Sequence, residues 1–478
     1  MAFLESFFKL KEHGTSVKTE VLAGFTTFLT MAYIIFVNPA ILSQTGMDFN
    51  AVFVATCVAA AIGTMVMGLV ANYPIALAPG MGLNAYFTFA VVKGMGVPWE
   101  TALGAVFISG VIFVIITSLK IREQIVNAIP HSLKLAISAG VGLFLAIIGL
   151  KGAGVITGSE ATMVTLGNVA APTTLLAVFG FFVIVALEYR KVTGAIIIGV
   201  LLVTLLSVLL GMTEFKGVFA APPSIEPTFM KMDIASAINA GLIGVIFIFF
   251  FIDLFDTTGT LIGVSHRAGL LDKDGKLPRL KRALFADSTA IMAGGVLGTS
   301  SVTAYVESAA GTSVGGRTGL TAVVVALLFL AALFLSPLAG TVPAYATAPA
   351  LCYVAVLMTR GLAEIDWDDL TESAPAVITA VDTPENNVRL RFSVGPDPSR
   401  VLQGGSPRYR QSSLALLSLV DDEHLRHEIA RELVGEEARV LHERADTLEA
   451  TMLTTVVELL NGSSATNASI EEIATRFN

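Results

Sequence analysis

The chain has 478 residues, 54% of them hydrophobic and only 14% charged, with a mean hydropathy of +0.75. Soluble domains carry about a quarter of their residues as Asp, Glu, Lys and Arg, so this composition excludes an ordinary soluble enzyme or binding module and describes an all-α polytopic membrane protein. The formal charge of −8 singles out no partner, because much of the acidity gathers after residue 380, and nothing in the sequence points to nucleic acid.

Residues 1–18, MAFLESFFKLKEHGTSVK, are amphipathic and basic and lack the apolar core and cleavage site of a signal peptide. Lys9, Lys11 and Lys18 put this segment on the cytoplasmic side, since short inner loops collect Lys and Arg. A bilayer core takes about 20 apolar residues per helix. Runs of that kind fill residues 19–211, read as a first membrane repeat, and residues 234–380, read as a second, with an external loop over residues 212–233. The pairs Lys120/Arg122 and Arg190/Lys191, the run from Arg267 to Arg282, and then Arg317 and Arg360 all return to the inner side if residues 74–92 and 299–315 each count as one crossing. Cys57 and Cys352 lie inside apolar runs as small buried side chains, so no disulfide, metal site or cofactor is implied.

Those two crossings, the third and the tenth, break the helical pattern. Residues 74–90, PIALAPGMGLNAYFTFA, crowd Pro74, Pro79, Gly80 and Gly82 into what would otherwise be one helix. Residues 299–316, TSSVTAYVESAAGTSVGG, begin with a β-prone stretch and continue into small residues suited to a half-helix. Non-helical backbone at membrane depth survives only where protein or a water-filled cavity covers it, and paired broken segments in two halves point to a transporter's binding site. The odd spacing between the two puts them in opposite orientations, the signature of an inverted repeat. Glycines that merely let helices pack closely are the competing explanation.

The eighth crossing ends in FIFFFIDLFDTTGT, residues 247–260, where Asp253 and Asp256 follow an apolar run. An ionisable group in a membrane helix needs a partner, a cavity or a proton to offset its desolvation, which marks both as functional candidates. Their i, i+3 spacing puts them on roughly one face, where a buried carboxylate beside another can carry a proton. Asp256 has an alternative role as a cap where the helix meets a turn at Thr257-Thr258-Gly259. Glu307 is the third intramembrane acid, at the point where the strand gives way to the half-helix, whose N-terminus suits an anion. Asp253, Asp256 and Glu307 are thus the proton-coupling candidates. At the matching point of the first broken crossing stands Asn84, which both donates and accepts, after Gly80 and Gly82, near which backbone groups would be open. Carboxylates, an amide and open backbone suit a flat neutral heterocycle with N–H donors and ring acceptors on one edge better than an inorganic cation. Phe87, Phe250, Phe251 and Phe255 are candidates to stack on such a ring.

After Ala380 the apolar pattern stops. Residues 381–478 contain Arg but no Lys and read as a soluble, partly helical tail: a loop over Asp382–Arg410, helical spacing over about Ser412–Leu460, and a capping box at Ser469-Ile-Glu-Glu472 only six residues before the end at Asn478. His424, His427 and His442 lack metal-ligand spacing and read as solvated helix faces.

Four stretches, TEVLAGFTTFLTMAYIIFVNP, ALAPGMGLNAYF, FFFIDLFDTTGTLIGV and ADSTAIMAGGVLGTSSVTAYVESAAG, make residues 10–380 resemble the AzgA-like permeases for adenine, guanine and hypoxanthine, a branch of the nucleobase-cation symporter superfamily. The resemblance implies fourteen crossings in two inverted repeats of seven, each divided between a substrate-holding core and a gate. It also implies that Asp253 and Glu307 bind the base and that Gly82 and Asn84 set selectivity. Import of purine bases with protons, elevator-like displacement of core against gate, a multi-pass place in the inner or plasma membrane and homodimers joined through their gates follow from the same resemblance. The chain departs from that pattern where DDLTESAPAVITA swerves into VDTPENNVRLRF, so about twelve of the fourteen crossings are expected. That departure keeps two alternatives open: a binding or sensing membrane protein or transport-incompetent fusion, and a carrier of the same fold for uracil or xanthine.

Overall fold

A computed structural model describes residues 2–118, 131–159, 162–239, 242–272 and 277–365. The chain divides into two units, Met1–Pro130 with Ile137–Arg360, and His131–Ala136 with Gly361–Asn478. In the second unit, Ala136 and Ile365 are buried beside Leu362. The thirteenth crossing and the tail over residues 381–478 lie outside the described residues.

The first unit opens with α1 (Ala2–Phe7), α2 (Val17–Met31) and α3 (Ile34–Leu42). Ser16 starts α2 by accepting from Thr19 N–H at 3.2 Å, and Asp48 starts the next helix, α4 (Phe49–Val66), by accepting from Ala51 N–H at 2.8 Å. A wider turn carries α4 on to Ala71. Strand β1 (Leu77–Pro79) leads into α5 (Met81–Ala85), which a second wide turn extends to Gly94. Then come α6 (Trp99–Ser118), α7 (His131–Gly152), a hairpin of β2 (Ile156–Ser159) and β3 (Met163–Leu166), α8 (Pro172–Tyr189) and α9 (Ala195–Leu209). Residues 210–233 form no regular helix or strand.

After this stretch come α10 (Ile234–Asn239), α11 (Ile243–Arg267), α12 (Leu280–Leu297), β4 (Val302–Ala304), α13 (Ser308–Ser313), α14 (Gly319–Ala332), α15 (Ser336–Thr341) and α16 (Ala344–Thr359). Among the described residues, seven helical stretches are long and apolar enough to cross a bilayer, and Ala195–Leu209 and Ala344–Thr359 are shorter apolar helices. The chain is therefore a mostly helical, multi-pass membrane protein.

Both expected breaks are present, and they meet. Strands β1 and β4 pair antiparallel in the register Leu77↔Ala304, Ala78↔Thr303 and Pro79↔Val302. Gly80 N–H donates to Ser301 C=O at 2.9 Å at one end, and Tyr305 N–H to Ala76 C=O at 2.9 Å at the other. All six strand residues are buried. At that depth the ladder lets each break satisfy the other's backbone groups, which lipid would leave unpaired. Because the ladder is antiparallel, α5 and α13 leave it in opposite directions, as an inverted repeat requires.

One expected element is absent. Thr257-Thr258-Gly259 is not a turn: α11 runs unbroken from Ile243 to Arg267, so Asp253 and Asp256 sit mid-helix and Asp256 caps nothing. The physical reason is that an open turn in an apolar layer would orphan backbone groups, whereas a continuous helix keeps them bonded despite the weak helix propensity of Thr and Gly.

Candidate functional site

Helix α11 packs against β4, α13 and α5, which brings Asp253 to the ladder. Asp253 is fully buried and accepts a hydrogen bond from the Ser301 hydroxyl, whose own C=O receives Gly80 N–H. One turn along α11, the Thr257 hydroxyl donates to Asp287 Oδ1 at 2.7 Å and lies 2.7 Å from the Thr303 hydroxyl. Thr257 has one hydroxyl hydrogen, already given to Asp287, so Thr303 is the donor in that second pair. One side-chain bond thus fastens α11 to β4, a second to Ser301 immediately before it, and a third to α12. Asp256 is half-buried, and no hydrogen bond to its carboxylate is found among the described residues.

Glu307 is half-buried immediately before α13. The expected stabilisation by the helix N-terminus is not how its side chain is held: it makes no capping bond, and Oε1 instead accepts from the Tyr33 hydroxyl at 2.7 Å. The reason is geometric, since Tyr33 lies in the break between α2 and α3 and reaches the carboxylate directly. Tyr305, two residues upstream, donates its hydroxyl to Pro79 C=O at 2.6 Å and so ties the second broken crossing to the first.

Asn84 is fully buried on α5. Its Nδ2 donates to Asn38 Oδ1 at 2.5 Å, and Asn38 Nδ2 donates to Thr56 Oγ1 at 2.7 Å and Thr299 Oγ1 at 2.8 Å. Asn84 Oδ1 has no hydrogen-bond partner among the described residues. A buried acceptor left alone costs about 1–3 kcal/mol, so this oxygen is where an N–H from a ligand or a water would be stabilising.

Gly82 has a packing role beside the open backbone expected near it. A Cβ at this position would collide with Val141 Cγ1 of α7, so glycine is required for close packing. Its C=O accepts from Tyr86 N–H, while Gly80 spends its N–H on Ser301 and its C=O on Asn84 N–H. The aromatic candidates pack on other aromatic rings. Phe113 lies 4.6 Å from Phe250, Phe251 lies 5.9 Å from Phe255, and Phe87 lies 6.5 Å from Phe249, which also meets Tyr86 edge-on at 5.2 Å.

Asp253, Glu307 and Asn84 thus gather around one ladder, joined through Ser301, Gly80, Tyr305 and Pro79. Sequence reasoning missed Asn38, Tyr33, Asp287, Ser301 and Thr303. It also counted Glu307 as the third intramembrane acid, although Asp287 and Glu20 are fully buried as well. The rule that singles out Asp253, an acid within an apolar run, would have found Asp287. No such rule separates the hydroxyls from the many others in apolar helices.

A model described as Permease family matches residues 18–382. The chain is 54% identical to the adenine permease AdeP of Escherichia coli (strain K12) over 381 residues, 80% of this chain and 86% of that one. It is 44% identical to the guanine/hypoxanthine permease PbuO of Bacillus subtilis (strain 168) over 385 residues, 79% of this chain and 89% of the other. Among solved structures, the transmembrane domain of the cyanobacterial bicarbonate transporter BicA matches with a TM-score of 0.59 at 16% identity, covering 77% of this chain and 97% of that one. At that identity the likeness concerns the fold alone. On the extent of the family match and the identity of these relatives, the chain belongs to the Permease family and is a membrane permease rather than an enzyme.

Proposed function

We propose that this permease is a secondary active transporter that imports purine bases, adenine, guanine or hypoxanthine, together with protons. The observation that carries the reading is the gathering of the Asp253 and Glu307 carboxylates and the Asn84 amide around one buried ladder, with Asn84 Oδ1 available to a ligand. Carboxylates accept from ring or exocyclic N–H groups, and an amide reads a donor and an acceptor side by side. The names of the relatives, permeases for adenine and for guanine and hypoxanthine, support purine as the cargo. Asp253, Glu307, Asn84 and Gly82 form the binding site in this reading, with Gly82 acting through packing, and Asp253, Asp256 and Glu307 are the proton-coupling candidates.

The same reading extends to the architecture. Residues 19–211 and 234–380 are two inverted repeats of a seven-plus-seven plan, joined by an external loop at residues 212–233. A core moves against a gate, gates of two copies meet in a homodimer, and residues 1–18 face the cytoplasm of a cell whose inner or plasma membrane holds the protein.

The test is uptake of radiolabelled adenine, hypoxanthine and guanine by proteoliposomes under an imposed pH gradient. Accumulation that a protonophore abolishes is expected. Binding without uptake would mean a sensing or transport-incompetent protein, and displacement of the label by uracil or xanthine ahead of purines would reassign the cargo.

A further inference from the structure

Glu20, in the first turn of α2, is fully buried, yet no ion pair among the described residues includes it. Its Oε1 accepts from Arg317 N–H at 2.9 Å. Its Oε2 accepts from Thr318 N–H and Thr321 N–H, each at 3.2 Å, and from the Thr321 hydroxyl at 2.6 Å. Every partner is a donor in the connection from α13 to α14 or in the first turn of α14. Gly319 N–H, between them, donates to Asn72 Oδ1 at 2.7 Å. The opening N–H groups of a 14-residue helix are therefore capped from two other parts of the chain, and a carboxylate at that end suits the helix dipole.

The cap also reaches the candidate site. Helix α13 has only six residues, too few to hold its own geometry, because a helix this short barely exceeds its nucleation cost. It begins directly after Glu307 and ends in the segment that Glu20 grips. Arg317, held by Glu20 through its N–H, sends its guanidinium to Thr312 C=O at 2.6 Å and Gly316 C=O at 2.8 Å, closing the end of α13. Between the two ends, a Cβ at Gly311 would lie 2.6 Å from Ala23 C=O of α2, so α13 lies directly on that helix. At its start, Tyr33 holds the Glu307 carboxylate.

We infer that Glu20 is a positioning residue for the purine site: by gripping the far end of α13 it sets where Glu307 stands at the near end. This rests on the reading of Glu307 as a purine-binding group.

Glu20→Gln tests it, since a glutamine keeps the shape but turns an NH₂ toward one set of N–H donors. In proteoliposomes, with uptake normalised to reconstituted protein, we expect the purine KM to rise on the order of tenfold while Vmax changes less. Thr321→Val, which removes the hydroxyl's bonds to Glu20 Oε2 at 2.6 Å and Glu20 C=O at 3.2 Å and keeps the Thr321 N–H bond, should move KM in the same direction by less. A role confined to stability would lower the amount of protein and leave KM at the wild-type value in both variants, and that result overturns the proposal. If Glu20→Gln does not accumulate, the KM of Thr321→Val decides alone. Wild-type protein that neither binds nor carries a purine would instead overturn the functional reading, and this inference with it.

Discussion

In the first broken crossing, Leu77–Pro79 leads through Gly80 into α5 and a wide turn that runs on to Gly94, whereas in the second, Val302–Ala304 leads into α13, which ends at Ser313. The first carries a neutral amide, Asn84, and sits among packed rings at Tyr86, Phe87 and Phe249. The second carries a carboxylate, Glu307, and depends on α2 and Tyr33 at both ends. One backbone plan thus delivers two chemistries to the same ladder. In the proposed function, the first crossing reads the hydrogen-bond pattern of the base, and the second supplies the acid that binds it and is open to a proton. Asp253, on α11 between them, belongs to neither crossing and serves both.

The largest effects are expected at the acids. Glu307→Gln and Asp253→Asn should each weaken purine uptake on the order of a hundredfold in apparent affinity, because each leaves a buried hydrogen-bonding partner of the ligand unmatched. Saturation curves from reconstituted protein give this directly, and wild-type affinity in either variant removes that residue from the site.

Next comes the packing of the first crossing. Gly82→Ala should destabilise the protein by about 1–3 kcal/mol through the collision with Val141. Thermal unfolding in detergent measures the loss, and adding Val141→Ala should recover most of it. Destabilisation that the second substitution leaves untouched would return Gly82 to the role of open backbone at the ligand.

Asn84→Ala should cost on the order of tenfold in affinity and alter the ranking of adenine against hypoxanthine in competition assays. Equal losses for all bases would show that the first crossing does not discriminate among them. The smallest change belongs to Tyr33→Phe, which deletes one hydrogen bond to Glu307 and should raise KM by about threefold, less than the full worth of a bond to a charged group because Tyr33 acts on the ligand only through Glu307.

The two crossings also show how far a sequence reading reaches. Their breaks are legible because Pro79, Gly80 and Gly82, and the β-prone Ser300–Val306 run, violate the pattern of an apolar helix, and only pairing rescues such backbone in a membrane. Asp253 and Glu307 are legible because charge in an apolar run demands a reason. The cap role offered for Asp256 fails because Thr257-Thr258-Gly259 resembles a turn in water, while at membrane depth the helix is the safer way to bond the backbone. The packing role of Gly82 is not legible, because the contact that requires it, Val141, is invisible in local sequence. The bond from Asn38 to Thr299 crosses 261 positions, and no local pattern announces it.

In the proposed function the acids and the amide around this ladder bind a purine. Calorimetric titration of adenine and hypoxanthine into the purified full-length chain tests it most directly, using wild type, Asp253→Asn and Glu307→Gln. One purine site per chain is expected, with binding lost or weakened on the order of a hundredfold in each variant. Purine binding at wild-type affinity in both variants, or no purine binding by the wild type, would contradict it.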